Sequence, residues 1–198
     1  MAYPPRLCFD GALYHVTTRG NNRERIFHDD QDYRVYLRLL RRYKERFRFS
    51  LHAYALMPNH VHLMIEPAPG TIISEIMQSL GIAYTKYVNK RYVRVGHVFQ
   101  GRFHSRLIEK DAYLLVASRY VHRNPVRAKL CGHPVDYRWS SYRAYVCPEA
   151  DSWSLADPSL VLSLVDPGLS DLHRQRQEYK RFVETLHPAD TDLAKLDI

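Results

Sequence analysis

The order in which the hydrophobic period changes along the chain constrains its fold more than any other feature. Residues 12–19, Ala-Leu-Tyr-His-Val-Thr-Thr-Arg, are rich in β-branched and aromatic side chains and run into Gly20-Asn21-Asn22, which predicts a strand and a turn. After Asp29-Asp30, the positions Tyr33, Tyr36, Leu37, Leu40, Tyr43 and Phe47 recur at helical spacing. Two extended runs, about 49–56 and 60–65, flank the turn-forming Pro58-Asn59 and predict a hairpin. Ile73, Ile76, Met77, Leu80, Ala83, Tyr84 and Tyr87 then mark a second helix ending near Lys90-Arg91, and an extended stretch runs from Val98 to Ile108. This β-α-β-β-α-β order predicts an α+β, ferredoxin-like fold, an antiparallel sheet with both helices on one face and the other face free.

Beyond that unit, a third helix is expected from about Asp111 to Asn124, where Pro125 disfavours continuation. Helical spacing returns at about 169–186. Charge divides the chain at a similar place. Residues 1–146 carry 24 Lys+Arg against 11 Asp+Glu, a formal +13, while residues 147–198 carry 5 against 10, a formal −5. We therefore expect one domain over 1–146 and an acidic, partly helical extension over 147–198. A basic body with interleaved tyrosines fits a phosphate-backbone partner, although solvated Arg-rich helix faces over tyrosine-filled cores would give the same counts. The opposed charges suggest an extension folded back over the basic surface, restraining activity. No run is apolar enough for a membrane span, the first residues lack the order of a secretory signal, and three cysteines without a Cys-x-x-Cys point to a reducing, cytoplasmic setting.

His60 and His62 are two apart in a predicted strand, so their imidazoles share a face while Val61, Leu63 and Ile65 take the other. Such a pair can chelate one divalent ion or be two ordinary histidines. Tyr120 and Asn124, four apart, share a helix face. A tyrosine hydroxyl beside a cation can serve as a nucleophile, and an amide oxygen suits a hard cation such as Mg²⁺ or Mn²⁺. Equally, Tyr120 could be core and Asn124 could cap a following helix over 126–130. Arg102, His104 and Arg106 alternate along the last extended run as a cationic stripe, and Arg19, Asn21 and Asn22 close the first strand; each set could contact a nucleic-acid backbone or simply face water.

Met57-Pro58-Asn59-His60-Val61-His62-Leu63 resembles the His-hydrophobe-His motif of the single-tyrosine HUH transposases. Tyr120-Val121-His122-Arg123-Asn124-Pro125-Val126-Arg127-Ala128 resembles their tyrosine helix. Tyr14-His15-Val16-Thr17-Thr18-Arg19-Gly20-Asn21 and Trp139-Ser140-Ser141-Tyr142 extend the likeness over roughly residues 10–146. The chain looks most like the REP-associated tyrosine transposases of bacteria. The resemblance implies a Mg²⁺- or Mn²⁺-dependent endonuclease that cuts single-stranded DNA beside a hairpin, cytoplasmic and nucleoid-associated, acting as a monomer or homodimer. It implies Tyr120 as nucleophile, His60 and His62 as metal ligands, and DNA contacts from Arg19, Asn21, Asn22, Arg102, His104, Arg106, Arg123 and Arg127. Related transposases place a glutamine, glutamate or histidine on the tyrosine helix as third ligand; this chain departs from that pattern, and the four-residue spacing that keeps Asn124 beside Tyr120 favours it over His122.

Three alternatives stand beside this reading. An RNA-binding module shares the topology, but Val98-Phe99-Gln100-Gly101-Arg102-Phe103 lacks its aromatic signature. Relaxases and rolling-circle initiators share the His-x-His chemistry, yet many pair their tyrosines, a pattern the Tyr120 helix lacks. A domesticated regulator would bind hairpin DNA without cutting it.

Overall fold

The computed structural model describes residues 9–108 and 112–185. Four strands, β1 (Leu13–Arg19), β2 (Ser50–Met57), β3 (His60–Glu66) and β4 (His104–Ile108), form one sheet in the order β2-β3-β1-β4. The pairings β1/β3, β1/β4 and β2/β3 are all antiparallel, as expected for the ferredoxin-like order. Helix α1 (Asp30–Phe47) starts where the Asp29 carboxylate accepts from the backbone N–H groups of Gln31 and Asp32. It buries Tyr33, Tyr36, Leu37, Leu40 and Tyr43. Helix α2 (Ile73–Arg91) buries Ile73, Ile76, Met77, Leu80, Tyr84 and Val88. Together with Val16, Tyr54, Leu56, Val61, Leu63 and Ile65 these side chains make the first core, so the two helices share one face of the sheet.

The other face is covered, contrary to the sequence expectation. Helix α3 (Ala112–Arg127) packs on β2, β3 and β4, and Leu114, Ala117, Tyr120 and Val121 join Leu13, Ala53, Ala55, Met64 and Ile108 in a second core. The small residues Ala53 and Ala55 admit the helix closely. Short helices α4 (Tyr142–Val146) and α5 (Ser159–Ser163), then α6 (Leu172–Glu184), complete that core with Tyr142, Tyr145, Val161, Leu162, Tyr179 and Val183. The described part of the acidic extension packs on α3 and α4 and contributes to the interior, and it also meets α1, where the carbonyls of Trp153 and Leu155 accept from Arg41 and Lys44. The C-terminal end of the helix expected at 169–186 lies outside the described residues.

Two further expectations change. Helix α3 runs through Pro125 to Arg127, because a proline this near the C-terminus costs few backbone bonds; Ala128 N–H still donates to Asn124 O at 2.9 Å. Asn124 is therefore inside a helix and caps nothing. The last strand is only five residues long, since Gly101, at φ 137°, turns the chain out of extended pairing. Before it, residues 98–100 still follow the end of β1: Phe99 bridges Gly20, Gln100 N–H donates to Arg19 O and Asn21 N–H donates to Val98 O, each at 2.9 Å. Arg102 accordingly lies outside the strand that carries His104 and Arg106.

Candidate active site

The turn after β1 and the β2–β3 hairpin are locked together by backbone contacts. Gly20 N–H donates to Asn59 O at 2.7 Å, and Ile26 and Phe27 N–H donate to Pro58 O at 2.8 and 3.1 Å. A Cβ on Gly20 would lie 2.2 Å from Glu24 O, so glycine is required there by close approach. This clamp fixes the strand on which both histidines ride.

Pairing of β1 with β3 sets Thr17 opposite His62 and Arg19 opposite His60, while pairing with β4 sets His15 opposite Arg106 and Thr17 opposite His104. His15, Arg19, His60, His62, His104 and Arg106 therefore share the α3 face, as the period-two alternation requires. His60 and His62 rings stand 4.9 Å apart, centroid to centroid. Tyr120, on α3, meets the ring of His62 edge-on at 5.6 Å and that of His15 at 5.8 Å. His62 and Tyr120 are each 1% exposed and His15 3%. The exposed Arg127 guanidinium sits 5.1 Å above the Tyr120 ring, a cation–π arrangement.

Each histidine of the pair is held at Nδ1: His60 by Asn59 Oδ1 at 2.7 Å, His62 by His15 Nε2 at 3.0 Å. Among the described residues, His62 Nε2 is buried with no hydrogen-bond partner. An orphaned buried ring nitrogen costs free energy unless something binds it. Burial, reinforced by the neighbouring His15 and His60, holds the His62 pKa well below that of a free imidazole, so the ring is neutral and suited to ligation. No three His, Cys, Asp or Glu side chains among the described residues cluster as a metal site by themselves. Among the described residues, a third protein ligand would have to be of another residue type. Asn124 is 6% exposed, one turn beyond Tyr120, with its amide nitrogen donating to Tyr120 O at 3.2 Å. His122 is unsuited to that role, because both its ring nitrogens are already engaged, with the Tyr179 hydroxyl and with Ser141 Oγ, each at 2.8 Å. Two neutral imidazoles on one strand face, with an amide oxygen available on the facing helix, are donor types that suit a divalent cation.

The basic residues singled out in the sequence do not form one patch. Arg19, His104 and Arg106 project from the sheet face that carries His62, and Arg127 lies over the Tyr120 ring. Asn21 and Arg102 instead line a cleft of about 860 Å³ between α2 and residues 97–103, with Tyr36, Phe99 and Phe103. Asn22, in the left-handed region at φ 50°, is exposed on the turn beside it. Arg123 is not at the surface: it is 8% exposed and donates to Val183 O at 2.7 Å. His15 and the support it gives His62 escaped sequence reasoning. Its place in the alternation was readable, but the register that sets β1 beside β3 was not.

The site thus combines a ferredoxin-like sheet, a His-x-His strand and a tyrosine-bearing helix packed across it. The chain belongs to the IS200-like transposase family, whose model matches residues 8–124, more than half of its length. No curated protein matches the sequence. The fold is similar to that of a REP-associated tyrosine transposase solved bound to a REP hairpin, with TM-score 0.66 at 18% identity, over 80% of this chain and 93% of that one. A candidate transposase of Deinococcus radiodurans is a more distant structural match, with TM-score 0.43 at 15% identity over 66% and 92% of the two chains. Among the described residues no helix is long and apolar enough to cross a membrane.

Proposed function

We propose that the protein is a single-tyrosine transposase that cuts and rejoins single-stranded DNA beside a hairpin, of the kind the REP-bound neighbour was solved with. One observation carries this reading: His62, with His60 beside it on the same strand, meets the ring of Tyr120 on a helix some 60 residues away in sequence. Tyr120 Oη would attack phosphorus as its proton leaves to solvent. The Oη–P bond forms, the P–O3′ bond breaks, and the departing 3′-oxygen gains a proton, leaving a 5′-phosphotyrosine and a free 3′-hydroxyl. The bond energy stays in the phosphotyrosine, so a 3′-hydroxyl can later reverse the step without ATP. His60, His62 and Asn124 would hold Mg²⁺ or Mn²⁺, which when bound neutralises phosphate charge and favours the phenolate. Arg19, Arg106 and Arg127 offer cationic contacts to the flanking phosphates.

The test uses a hairpin oligonucleotide labelled on the 3′ side of the cut, incubated with Mn²⁺ and resolved under denaturing conditions. A labelled protein adduct is expected from the parent and none from Tyr120→Phe. An adduct that survives Tyr120→Phe overturns the nucleophile assignment. The near-complete burial of Tyr120 favours a second reading, hairpin binding without cleavage. That reading is selected if the parent binds the hairpin tightly and forms no adduct.

A further inference from the structure

The pair His15 and His62 is built as a hydrogen-bonded imidazole chain rather than a stack. Their ring planes differ by only 10°, and the centroids, 5.2 Å apart, are separated by more than the 3.0 Å nitrogen contact by about the width of a ring. That is in-plane, edge-to-edge geometry. Both rings lie in the interior, away from competing water. Between two neutral imidazoles one nitrogen must donate and the other accept, so the contact has only two proton arrangements. In the first, His15 Nε2–H donates to His62 Nδ1, and His62 carries its proton on Nε2, a buried donor left unpaired. In the second, His62 Nδ1–H donates to His15 Nε2, and His62 Nε2 presents a lone pair. The second matches His60, whose Nδ1–H donates to Asn59 Oδ1. It also matches the general pattern in which a metal-binding imidazole donates its other N–H to a supporting acceptor that fixes tautomer and orientation.

We propose that His15 is a positioning residue: it accepts the Nδ1–H of His62 and so aims the Nε2 lone pair of His62 into the site. This rests on the metal-site reading above. His15 stands on β1 diagonally across from His62 in the β1–β3 register, and its Nε2 is engaged in the contact. Its role is to set how well His62 binds a divalent cation, with Tyr120 packed across both rings.

The full-length protein, free of DNA, is titrated with Mn²⁺ and free ion is followed by electron paramagnetic resonance. His15→Leu, which keeps bulk and removes the acceptor, should weaken Mn²⁺ binding about 10- to 100-fold. His15→Gln, whose amide oxygen can accept the same proton, should recover most of that loss. A purely structural role would leave the two variants alike. A second measurement needs no variant: ¹⁵N imidazole spectra of the metal-free parent should show His62 protonated at Nδ1. Parental affinity in His15→Leu, equal losses in both variants, or His62 protonated at Nε2 in the parent overturns the proposal. If His60→Ala/His62→Ala binds Mn²⁺ as tightly as the parent, the metal reading falls and the role of His15 with it. If that double variant loses the ion while His15→Leu keeps it, only the role of His15 falls.

Discussion

His122 gives the sharpest stability prediction, because its environment is closed on every side. Its Nδ1 meets the Tyr179 hydroxyl, which donates to Ser118 Oγ at 3.0 Å, and Ser118 Oγ donates to Leu115 O at 2.7 Å. That direction makes His122 Nδ1 the donor and leaves Nε2 to accept from Ser141 Oγ, so the network is satisfied by a neutral ring. The rings of Tyr142, Tyr145 and Tyr179 enclose it, and burial lowers its pKa to about 3. In the unfolded chain a histidine titrates near 6.5. Above pH 6.5 both states are neutral and His122 adds no pH dependence. Below it the unfolded chain takes up a proton that the folded chain refuses, so stability falls by about 1.4 kcal/mol per pH unit until the pH nears 3. From pH 7 to pH 5 the loss from this residue is about 2 kcal/mol, a large fraction of a domain's typical 5–15 kcal/mol. The assay is urea unfolding followed by the fluorescence of Trp139 and Trp153, at pH 7 and pH 5, in the parent and in His122→Gln. Glutamine can keep a neutral donor and acceptor but cannot titrate. The parent should lose about 2 kcal/mol more than the variant across that interval, with other titrating groups cancelling in the difference. Equal losses would refute the reasoning.

Other perturbations test other links. Gly20→Ala should destabilise the protein by several kcal/mol in thermal or urea unfolding, because the new Cβ meets the Glu24 carbonyl at 2.2 Å. Arg127→Ala should weaken hairpin binding uniformly across sequences and reduce the slope of log affinity against log salt by about 1, read by fluorescence anisotropy in a salt series. Tyr179→Phe should cost about 1–3 kcal/mol, since it leaves His122 Nδ1–H and Ser118 Oγ without their buried partner. Deleting residues 147–198 strips Val161, Leu162, Tyr179 and Val183 from the second core; at roughly 1.5–3 kcal/mol each this rivals the total stability, so the truncated chain should lose cooperative unfolding. A truncated protein that folds and binds DNA more tightly would restore the autoinhibitory extension.

How much of this was legible follows from the range of the forces involved. The strands and the two long helices of the sheet unit are local: Asp29 caps its own helix, and Tyr33 to Tyr43 bury a stripe that repeats every turn. They stand where periodicity places them, within a residue or two. Beyond residue 97 local signals compete. Val98 to Ile108 reads as one extended run, but the backbone breaks at Gly101, so residues 98–100 pair with the end of β1 separately from the regular strand His104–Ile108. Pro125 carries a strong stop signal, yet tertiary packing of α3 on the sheet outweighs one lost backbone bond near the helix end. The same holds for the site. The shared face of His60 and His62 is a matter of alternation, whereas the meeting of His62 with His15 and Tyr120 depends on β1–β3 register and on where α3 crosses.

The covered sheet face shows why a charge count misleads about the extension. A −5 segment beside a +13 body invites a picture of Coulombic masking. The contacts that bind α6 to α3 are of another kind. Arg119 Nε donates to Phe182 O at 2.7 Å, a second Arg119 nitrogen donates to Thr185 O, and Arg123 donates to Val183 O, so two α3 arginines satisfy carbonyls at the C-terminal end of α6. Cations are favoured at that end of a helix dipole whether or not any carboxylate is near. Arg119 and Arg123 are therefore counted in the basic body but serve the core, and they seat α6 on the helix that bears Tyr120. Subtracting them lowers the count of basic side chains available at the surface, while Arg127 stays exposed above the Tyr120 ring.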